Sequence, residues 1–199
     1  MSVFFTADLH LGHKNIIQHC NRPFADVDEM NAALIKNWNS KVHRDDTVYI
    51  VGDFAVYPRY TEEVLGWIAE LKGRKIFIIG SHDDWIETLM PELRKIPDTR
   101  IWSDRVLEFR KPTTRKNQRD LVLCHWGMRS WPGSNHGVWH LFGHSHGHLP
   151  PHGKSFDIGV DCHNYFPLSY EEVEEKMDAL PSWDDGHTRR GTDESTANR

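Results

Sequence analysis

Near-continuous apolar runs rich in β-branched and aromatic residues recur along the chain. Such runs are typical of strands buried on both faces of a sheet, because alternation with polar residues is expected only where one face meets water. We therefore predict that they form the central sheet of the protein. The runs are residues 2–7, 47–52, 75–80 and 120–125, and a further run begins at Trp139.

Segments with apolar residues spaced about 3.6 positions apart separate the first three runs and predict helices at residues 28–41 and 61–71. A further helix is expected at residues 84–90, ending at Pro91 because a proline disfavours helical backbone in the residue before it. The alternation of strands and helices implies a layered α/β fold. Residues 105–111 and 120–123 flank a polar, basic segment, residues 112–119, which we expect to form a hairpin loop or an exposed insertion.

The length of 199 residues suits one domain with a substantial core. The last elements are expected to be a strand at residues 154–160 and a helix that opens at Ser169 with a capping-box pattern and ends near Leu180. We predict a single domain over residues 1–180. Residues 181–199 are polar and lack periodicity, and we expect them to form a flexible tail.

The net charge of −5 and the pI near 6.3 argue against a broad surface for nucleic acid. We expect no stable nucleic-acid partner, although a binding module built on the basic residues 110–119 stays an alternative. Three cysteines without CxxC spacing indicate reduced thiols. No signal-peptide pattern opens the chain and no apolar run approaches the roughly 18 residues of a membrane span, so we expect a cytoplasmic protein without a membrane partner. The oligomeric state stays open.

Aspartate and histidine follow the ends of the apolar runs. The chain has 14 histidines, a surplus that clusters at these ends and calls for a metal or acid–base explanation. In such sheets ligands bind beyond the carboxyl ends of the strands, so we predict a single polynuclear metal site. Mixed carboxylate and imidazole ligands suit Mn, Fe, Zn, Co or Ni. The residues at the run ends are Asp8, His10, Asp53, His82, Asp83, His125, His144 and His146.

The five blocks have the order Asp-x-His, Gly-Asp, Gly-x-His-Asp, His and Gly-His-x-His between Asp8 and His146. This order resembles the motifs of the calcineurin-like metallophosphoesterase superfamily, and the opening segment from Phe5 to Ile17 resembles its small bacterial and phage members. The resemblance implies a four-layer αββα sandwich of mixed sheets flanked by helices. It also implies a dinuclear-metal-dependent phosphoesterase with two divalent transition-metal ions, of which we favour Mn.

The resemblance further implies a mechanism and a role for each motif residue. A shared water of lowered pKa would supply hydroxide for in-line attack on phosphorus. His82 is expected to stabilise the transition state or protonate the leaving oxygen, with Asp83 as its orienting partner. The implied ligands are Asp8, His10 and His146 for one ion, residue Ser81, His125 and His144 for the other, and Asp53 bridging both.

Ser81 departs from the family pattern, which has asparagine at this position. A hydroxyl is shorter than an amide carbonyl by about one heavy atom and is a weaker ligand for divalent ions. We therefore expect weaker binding of the second ion. Three explanations stay open: a water replaces the amide, the metal preference differs, or the substitution was introduced to trap substrate.

Phosphodiesters, including nucleotide-type substrates, are the expected substrate class because the chain has few insertions that would recruit a protein. A phosphomonoesterase or protein phosphatase is the nearest alternative. A catalytically weak metal-binding scaffold is another, since Ser81 replaces the usual ligand. His13, one turn beyond the first motif, and Arg22, a potential bidentate phosphate clamp, are the candidate substrate-binding residues.

Overall fold

The computed structural model describes residues 1–56, 61–102, 104–109 and 119–182. Its first sheet has five strands in the order β4-β3-β2-β1-β9. Four of them are parallel, and β9 pairs antiparallel with β1. The strands are β1 (Val3–Thr6), β2 (Thr47–Val51), β3 (Arg74–Ile78), β4 (Thr99–Trp102) and β9 (Leu168–Ser169).

The second sheet has four strands in the order β5-β6-β7-β8. Three are parallel, and β5 pairs antiparallel with β6, which confirms the predicted hairpin. The segment expected to form its loop lies, from residue 110 to 118, outside the described residues. The strands are β5 (Val106–Phe109), β6 (Leu121–Cys124), β7 (Trp139–Phe142) and β8 (Ser155–Asp157).

Five α-helices accompany the two sheets in the described part of the chain. The second helix begins after Asp26, whose side chain accepts hydrogen bonds from the backbone N–H groups of Asp28 and Glu29. The last helix begins with the capping box that was predicted, formed by Ser169 and Glu172. The helices are α1 (Ile16–His19), α2 (Val27–Lys41), α3 (Thr61–Glu70), α4 (Trp85–Leu93) and α5 (Tyr170–Ala179).

Alternate residues of β1 pack into two separate hydrophobic cores, one on each face of the first sheet. Phe4 belongs to a cluster that includes Trp38 of α2 and Ile68 of α3, so helices cover this face of the first sheet. Phe5 belongs to a cluster that includes Leu123 and Leu141 of the second sheet, together with side chains from α5. The strand is therefore buried on both faces, as its apolar sequence predicts. Two mixed sheets flanked by helices confirm the predicted fold class.

The structure corrects the predicted end of α4. We expected the helix to stop at Pro91, but it continues to Leu93 with the proline inside it. The backbone N–H of Arg94 still donates to the carbonyl of Met90, at 3.2 Å. The helix therefore loses the one hydrogen bond that a proline nitrogen cannot donate and resumes beyond it.

The predicted tail of residues 181–199 lies, from residue 183 onward, outside the described residues. The last described helix, α5, ends at Ala179. Among the helices of the described residues, none combines the length and the apolar character that crossing a membrane requires.

Candidate metal centre

The carboxyl ends of strands from both sheets meet at one place and present two groups of possible metal ligands. Within each group, one nitrogen or oxygen atom from every residue lies within 4.8 Å of the others. The strands concerned are β1 and β2 in the first sheet and β6 and β7 in the second. The two groups are Asp8, His10 and His146, and Asp53, His125 and His144.

Asp8 is fully buried in the first group. Both of its carboxylate oxygens accept the backbone N–H of His144, at 3.0 and 2.8 Å, which ties the end of β1 to the turn after β7. Burial raises the pKa of Asp8 to about 7, against the opposing effect of the neighbouring His125 and His146. A buried carboxylate of this kind favours a nearby cation.

His10 has a buried ring nitrogen without a protein partner. Its Nε2 atom makes no hydrogen bond among the described residues and lies 3.6 Å from Oδ2 of Asp53. Burial lowers the pKa of His10 to about 2, although Asp53 opposes this shift. The imidazole is therefore neutral, and its unpaired nitrogen beside a carboxylate is suited to a metal ion.

His125 belongs to the second group and is fixed by a backbone carbonyl. Its Nδ1–H donates to the carbonyl of Val51 at 2.9 Å, which leaves Nε2 facing Oδ2 of Asp53 at 3.2 Å. Burial alone would lower the pKa of His125, but the hydrogen bond and charge of Asp53 raise it. A lone pair that faces a carboxylate requires a cation between them, either a proton or a metal ion.

Asp53 lies between the two groups. One oxygen, Oδ1, accepts the backbone N–H of His82 at 2.8 Å, and the other, Oδ2, lies near the ring nitrogens of His10 and His125. Burial opposes ionisation, but the interactions with His125 outweigh it and hold the pKa of Asp53 well below its usual range. An ionised carboxylate at this point suits the predicted bridging position.

Ser81 lies beside the second group. Its hydroxyl donates to Oδ2 of Asp53 at 3.0 Å and lies 3.5 Å from Nε2 of His125. The adjacent His82 side chain is exposed, with its ring centroid 5.4 Å from that of His10 and 6.2 Å from that of His13. The rings of the predicted catalytic histidine and of the candidate substrate-binding His13 therefore lie close together beside the first group.

Asp83 occupies a different place from the one predicted. We expected it to orient His82, but among the described residues it makes no hydrogen bond with that ring. Its buried carboxylate instead accepts the backbone N–H groups of Asp53, Phe54 and Gly80, at 2.8, 3.1 and 2.8 Å. Burial raises the pKa of Asp83 to about 6. Asp83 therefore joins the chain after β2 to the chain after β3.

Arg22 is likewise placed differently from the prediction. Its side chain is fully buried and donates two hydrogen bonds, each of 2.8 Å, to the carboxylate of Asp161, and others to the carbonyls of Asp8 and Leu9. A buried guanidinium with these partners cannot serve as the phosphate clamp we expected. It instead holds the backbone of the first motif.

Asp161 is a functional candidate that the motifs miss. Its Oδ2 accepts the Nδ1–H of His146 at 2.7 Å, while Arg22 occupies the same carboxylate. Burial opposes ionisation, but these two partners lower the pKa of Asp161. A carboxylate on the far nitrogen of a metal-binding histidine fixes its tautomer and orientation. The sequence carries no signal for this role, because Asp161 lies 15 residues beyond His146 and outside every motif.

The backbone at most of the predicted ligands is left-handed. Non-glycine residues adopt this region rarely, and such residues cluster at functional sites. Close packing accompanies this geometry: a Cβ atom on Gly80 would collide with Oδ1 and the backbone nitrogen of Asp53 and with Cα of Gly52, so this position accepts only glycine. The left-handed ligands are Asp8 (φ 58°), His10 (φ 53°), Asp53 (φ 55°), His144 (φ 67°) and His146 (φ 47°).

The donor set fits divalent transition-metal ions. Neutral imidazoles and ionised carboxylates are the ligands that such ions share, and the far nitrogens of His125 and His146 are occupied by Val51 and Asp161. Two sheets whose strand ends converge on a histidine and aspartate centre define the molecule as an α/β protein with a candidate metal-dependent active site.

Comparisons with known proteins agree with this class. The family model for calcineurin-like phosphoesterases matches residues 1–178. The chain therefore belongs to the calcineurin-like phosphoesterase family, whose activity is the hydrolysis of phosphoric esters.

Several relatives are similar over most of the chain. An uncharacterized protein of Methanocaldococcus jannaschii is 31% identical over 178 residues, which cover 86% of this chain and 88% of that protein. The gene 66 protein of Mycobacterium phage D29 is 26% identical over 90% of this chain and 97% of its own length. A protein of unknown function from Aquifex aeolicus, known from a crystal structure, has the same fold, with a TM-score of 0.66, 21% identity and coverage of 88% of this chain and 98% of that one.

Proposed function

We propose that this protein is a phosphodiesterase that works with two divalent metal ions, for which Mn is favoured. The observation that carries the proposal is the pair of ligand groups with Asp53 between them. One of its oxygens lies 3.6 Å from Nε2 of His10 in the first group and 3.2 Å from Nε2 of His125 in the second. A single carboxylate within reach of both groups is what a dinuclear centre requires.

The two ions would be held by residues from both sheets. When bound, such a pair polarises a phosphoryl oxygen and lowers the pKa of a bound water. The ligands assigned to the first ion are Asp8, His10 and His146, those assigned to the second are Ser81, His125 and His144, and Asp53 is assigned to both.

His82 is the proposed catalytic side chain. Its ring is exposed beside the first group, whereas its backbone N–H is fixed by Asp53 at 2.8 Å. An imidazole in this position can donate a proton to the leaving oxygen or stabilise the charge that develops there. His13, whose ring centroid lies 6.2 Å from that of His82, is the proposed contact for a substrate oxygen.

The preference for phosphodiesters rests on the scarcity of insertions within the domain. Between the described strands and helices there are few inserted segments from which to build a surface that recruits a protein substrate. Small esters, including nucleotide-type substrates, can reach the exposed His82 and His144 directly.

A comparison of two chromogenic esters tests the proposal. With added Mn, we expect the wild-type protein to hydrolyse bis-p-nitrophenyl phosphate faster than p-nitrophenyl phosphate. His82→Ala should lower kcat by about 10²–10⁴-fold, because a proton donor contributes this much. The matched control is His43→Ala, which removes another exposed histidine, located before β2 and remote from the strand ends that carry the centre.

Other results would support the competing functions. A strong preference for the monoester would indicate a phosphomonoesterase or protein phosphatase. Binding of one ion per chain without turnover under any metal would indicate the scaffold that Ser81 suggests. Salt-sensitive binding of nucleic acid that survives His82→Ala would indicate a binding module built on the basic residues 110–119, of which all but Arg119 lie outside the described residues.

A further inference from the structure

Arg105 is an exposed cation that two motif neighbours hold at the rim of the centre. Its Nη1–H donates to the carbonyl of Gly80 at 2.9 Å, and its Cζ atom lies 5.3 Å from the centroid of the Trp126 ring. Gly80 immediately precedes Ser81, and Trp126 immediately follows His125. Both anchors of the guanidinium therefore adjoin residues assigned to the second ion.

The Trp126 ring connects Arg105 to this part of the centre. Its centroid lies 5.1 Å from that of His125, at an interplanar angle of 83°, and 6.1 Å from that of His144. The indole of Trp126 therefore contacts the guanidinium of Arg105 and lies next to the rings of two candidate metal ligands, His125 and His144. A planar guanidinium held against an aromatic ring loses less conformational freedom when it forms a further hydrogen bond.

The guanidinium of Arg105 retains unused hydrogen-bonding capacity. Among the described residues it forms one hydrogen bond, to Gly80, and no ion pair with a carboxylate. Arg22 differs in both respects, because its side chain is buried and paired with Asp161. Arg105, unlike Arg22, therefore has donors available for an anion beside the centre.

We propose that Arg105 binds the substrate by donating to a non-bridging oxygen of the phosphoester, and that Trp126 positions it. The proposal rests on the proposed function of the centre as a phosphoesterase site. A guanidinium donates to phosphate oxygens through charge-assisted hydrogen bonds, which are among the strongest in proteins. The role that the sequence suggested for Arg22 thus falls to a residue outside every motif.

Titration with inorganic phosphate tests this role independently of turnover. The Mn-loaded wild-type protein, Arg105→Gln and Arg105→Lys would be titrated with phosphate by calorimetry, and their bound Mn would be counted. We expect Arg105→Gln to raise the Kd for phosphate about 10-fold to 100-fold at unchanged Mn content. Arg105→Lys should give an intermediate value, because lysine keeps the charge but not the planar fork.

The matched control is Arg44→Gln, which removes the same charge before β2, at the end of that strand remote from Asp53. Its Kd for phosphate should equal that of the wild-type protein. Trp126→Phe should retain most of the affinity, whereas Trp126→Ala should raise KM for the diester more than it lowers kcat. A loss of kcat alone in Trp126→Ala would overturn the positioning role.

The outcomes separate this proposal from the proposed function. Wild-type values of Kd and KM in Arg105→Gln would overturn the assignment of Arg105, even if the protein is an active phosphodiesterase. Weaker phosphate binding in Arg105→Gln without turnover by the wild-type protein under any metal would support Arg105 as an anion-binding residue and contradict the proposed function.

Discussion

Ser81 is the proposed ligand at which this chain departs from the family pattern. Its hydroxyl already donates to Asp53 and lies 3.5 Å from the ring nitrogen of His125, so it reaches the same space as the second ligand group. A neutral hydroxyl is nevertheless a weaker ligand than an amide carbonyl. We therefore expect Ser81 to be well placed for the second ion but to bind it weakly.

Replacement of Ser81 by asparagine should strengthen binding of the second ion. We expect Ser81→Asn to lower the Mn concentration required for half-maximal hydrolysis, because the longer amide offers a better oxygen ligand. The measurement is a Mn titration of diester hydrolysis, with Ser81→Ala as the control that removes the hydroxyl. Identical titration curves for wild-type and Ser81→Asn protein would contradict the expectation.

Single residues also show where sequence reasoning succeeds and where it fails. The ligand candidates were predictable because each follows a strand, and strand ends at one edge converge. Arg22 and Asp161 were not, because their pairing joins positions 139 residues apart and depends on burial. The sequence does not show whether a charged side chain faces the substrate or is buried in the core.

At the level of elements, Asp83 joins the ends of β2 and β3. Three backbone N–H groups converge on its buried carboxylate. Removal of this acceptor would leave three buried donors unsatisfied, each at a penalty of about 1–3 kcal/mol. We therefore expect Asp83 to stabilise the backbone at the ends of β2 and β3, which carry Asp53 and Ser81.

Asp83→Ala should lower the free energy of unfolding by about 3 kcal/mol or more. Urea unfolding of the metal-free protein measures this loss without interference from bound ions. Asp45→Ala, which removes an exposed carboxylate before β2, is the control and should change stability by less than about 0.5 kcal/mol. Equal stability of the two variants would show that the carboxylate does not hold the strand ends.

The strand β7 carries His140, which fixes the outer face of the second sheet. Its Nδ1–H donates to the carbonyl of Val122, and its Nε2 accepts the backbone N–H of Met128 at 3.1 Å. The Trp131 ring packs against it with centroids 5.4 Å apart. Burial lowers the pKa of His140 to about 4, so the folded protein contains the neutral ring.

This histidine should make stability depend on pH. His140 binds a proton near pH 6.5 in the unfolded chain and near pH 4 in the folded chain. Its contribution to the free energy of unfolding is therefore complete above pH 6.5 and is lost as the pH falls from 6.5 to 4. Between pH 7 and pH 5 the loss is about 2 kcal/mol. We expect His140→Gln to lack this loss when unfolding of metal-free protein is compared at the two pH values. A pH dependence equal to that of the wild-type protein would contradict this.

Strands with a continuous apolar run were more predictable than elements without one. The apolar runs of β1, β2, β3 and β6 mark strands buried on both faces, whose pattern is strong. The strand β9 has two residues, Leu168 and Ser169, and its existence depends on pairing with β1. The helix α4 passes Pro91 because neighbouring hydrogen bonds persist, which local sequence rules do not capture.

For the whole molecule, the centre joins the two sheets. Asp8 and Asp53 extend from the first sheet, whereas His125 and His144 extend from the second. The apolar cluster between the sheets holds them together along their length. Ions bound to both sets would act as additional links at one edge, so metal binding and stability of the whole fold should be coupled.

Addition of Mn should therefore raise the melting temperature of the metal-free protein. At a Mn concentration about 100 times Kd, one site contributes about 2.7 kcal/mol, which corresponds to about 5–10 °C for a chain of this size. Asp53→Asn should lose most of this increase, because it weakens both sites, and His43→Ala should retain it. Differential scanning calorimetry with and without Mn gives the comparison, and an equal rise in Asp53→Asn would refute the shared role of Asp53.

Left-handed backbone at Asp8, His10, Asp53, His144 and His146 has a practical consequence for selection experiments. A non-glycine residue with left-handed backbone lowers the free energy of unfolding by about 1–2 kcal/mol relative to glycine, so each of these positions reduces the stability of the fold. A library sorted only for abundance or protease resistance without metal would enrich glycine at His144, whose exposed side chain makes no hydrogen bond among the described residues, whereas Asp8, Asp53 and His146 are retained by their hydrogen bonds. The selected variants would be more stable but would have lost a proposed metal ligand. Directed evolution of this protein should therefore select for ion binding as well as for stability.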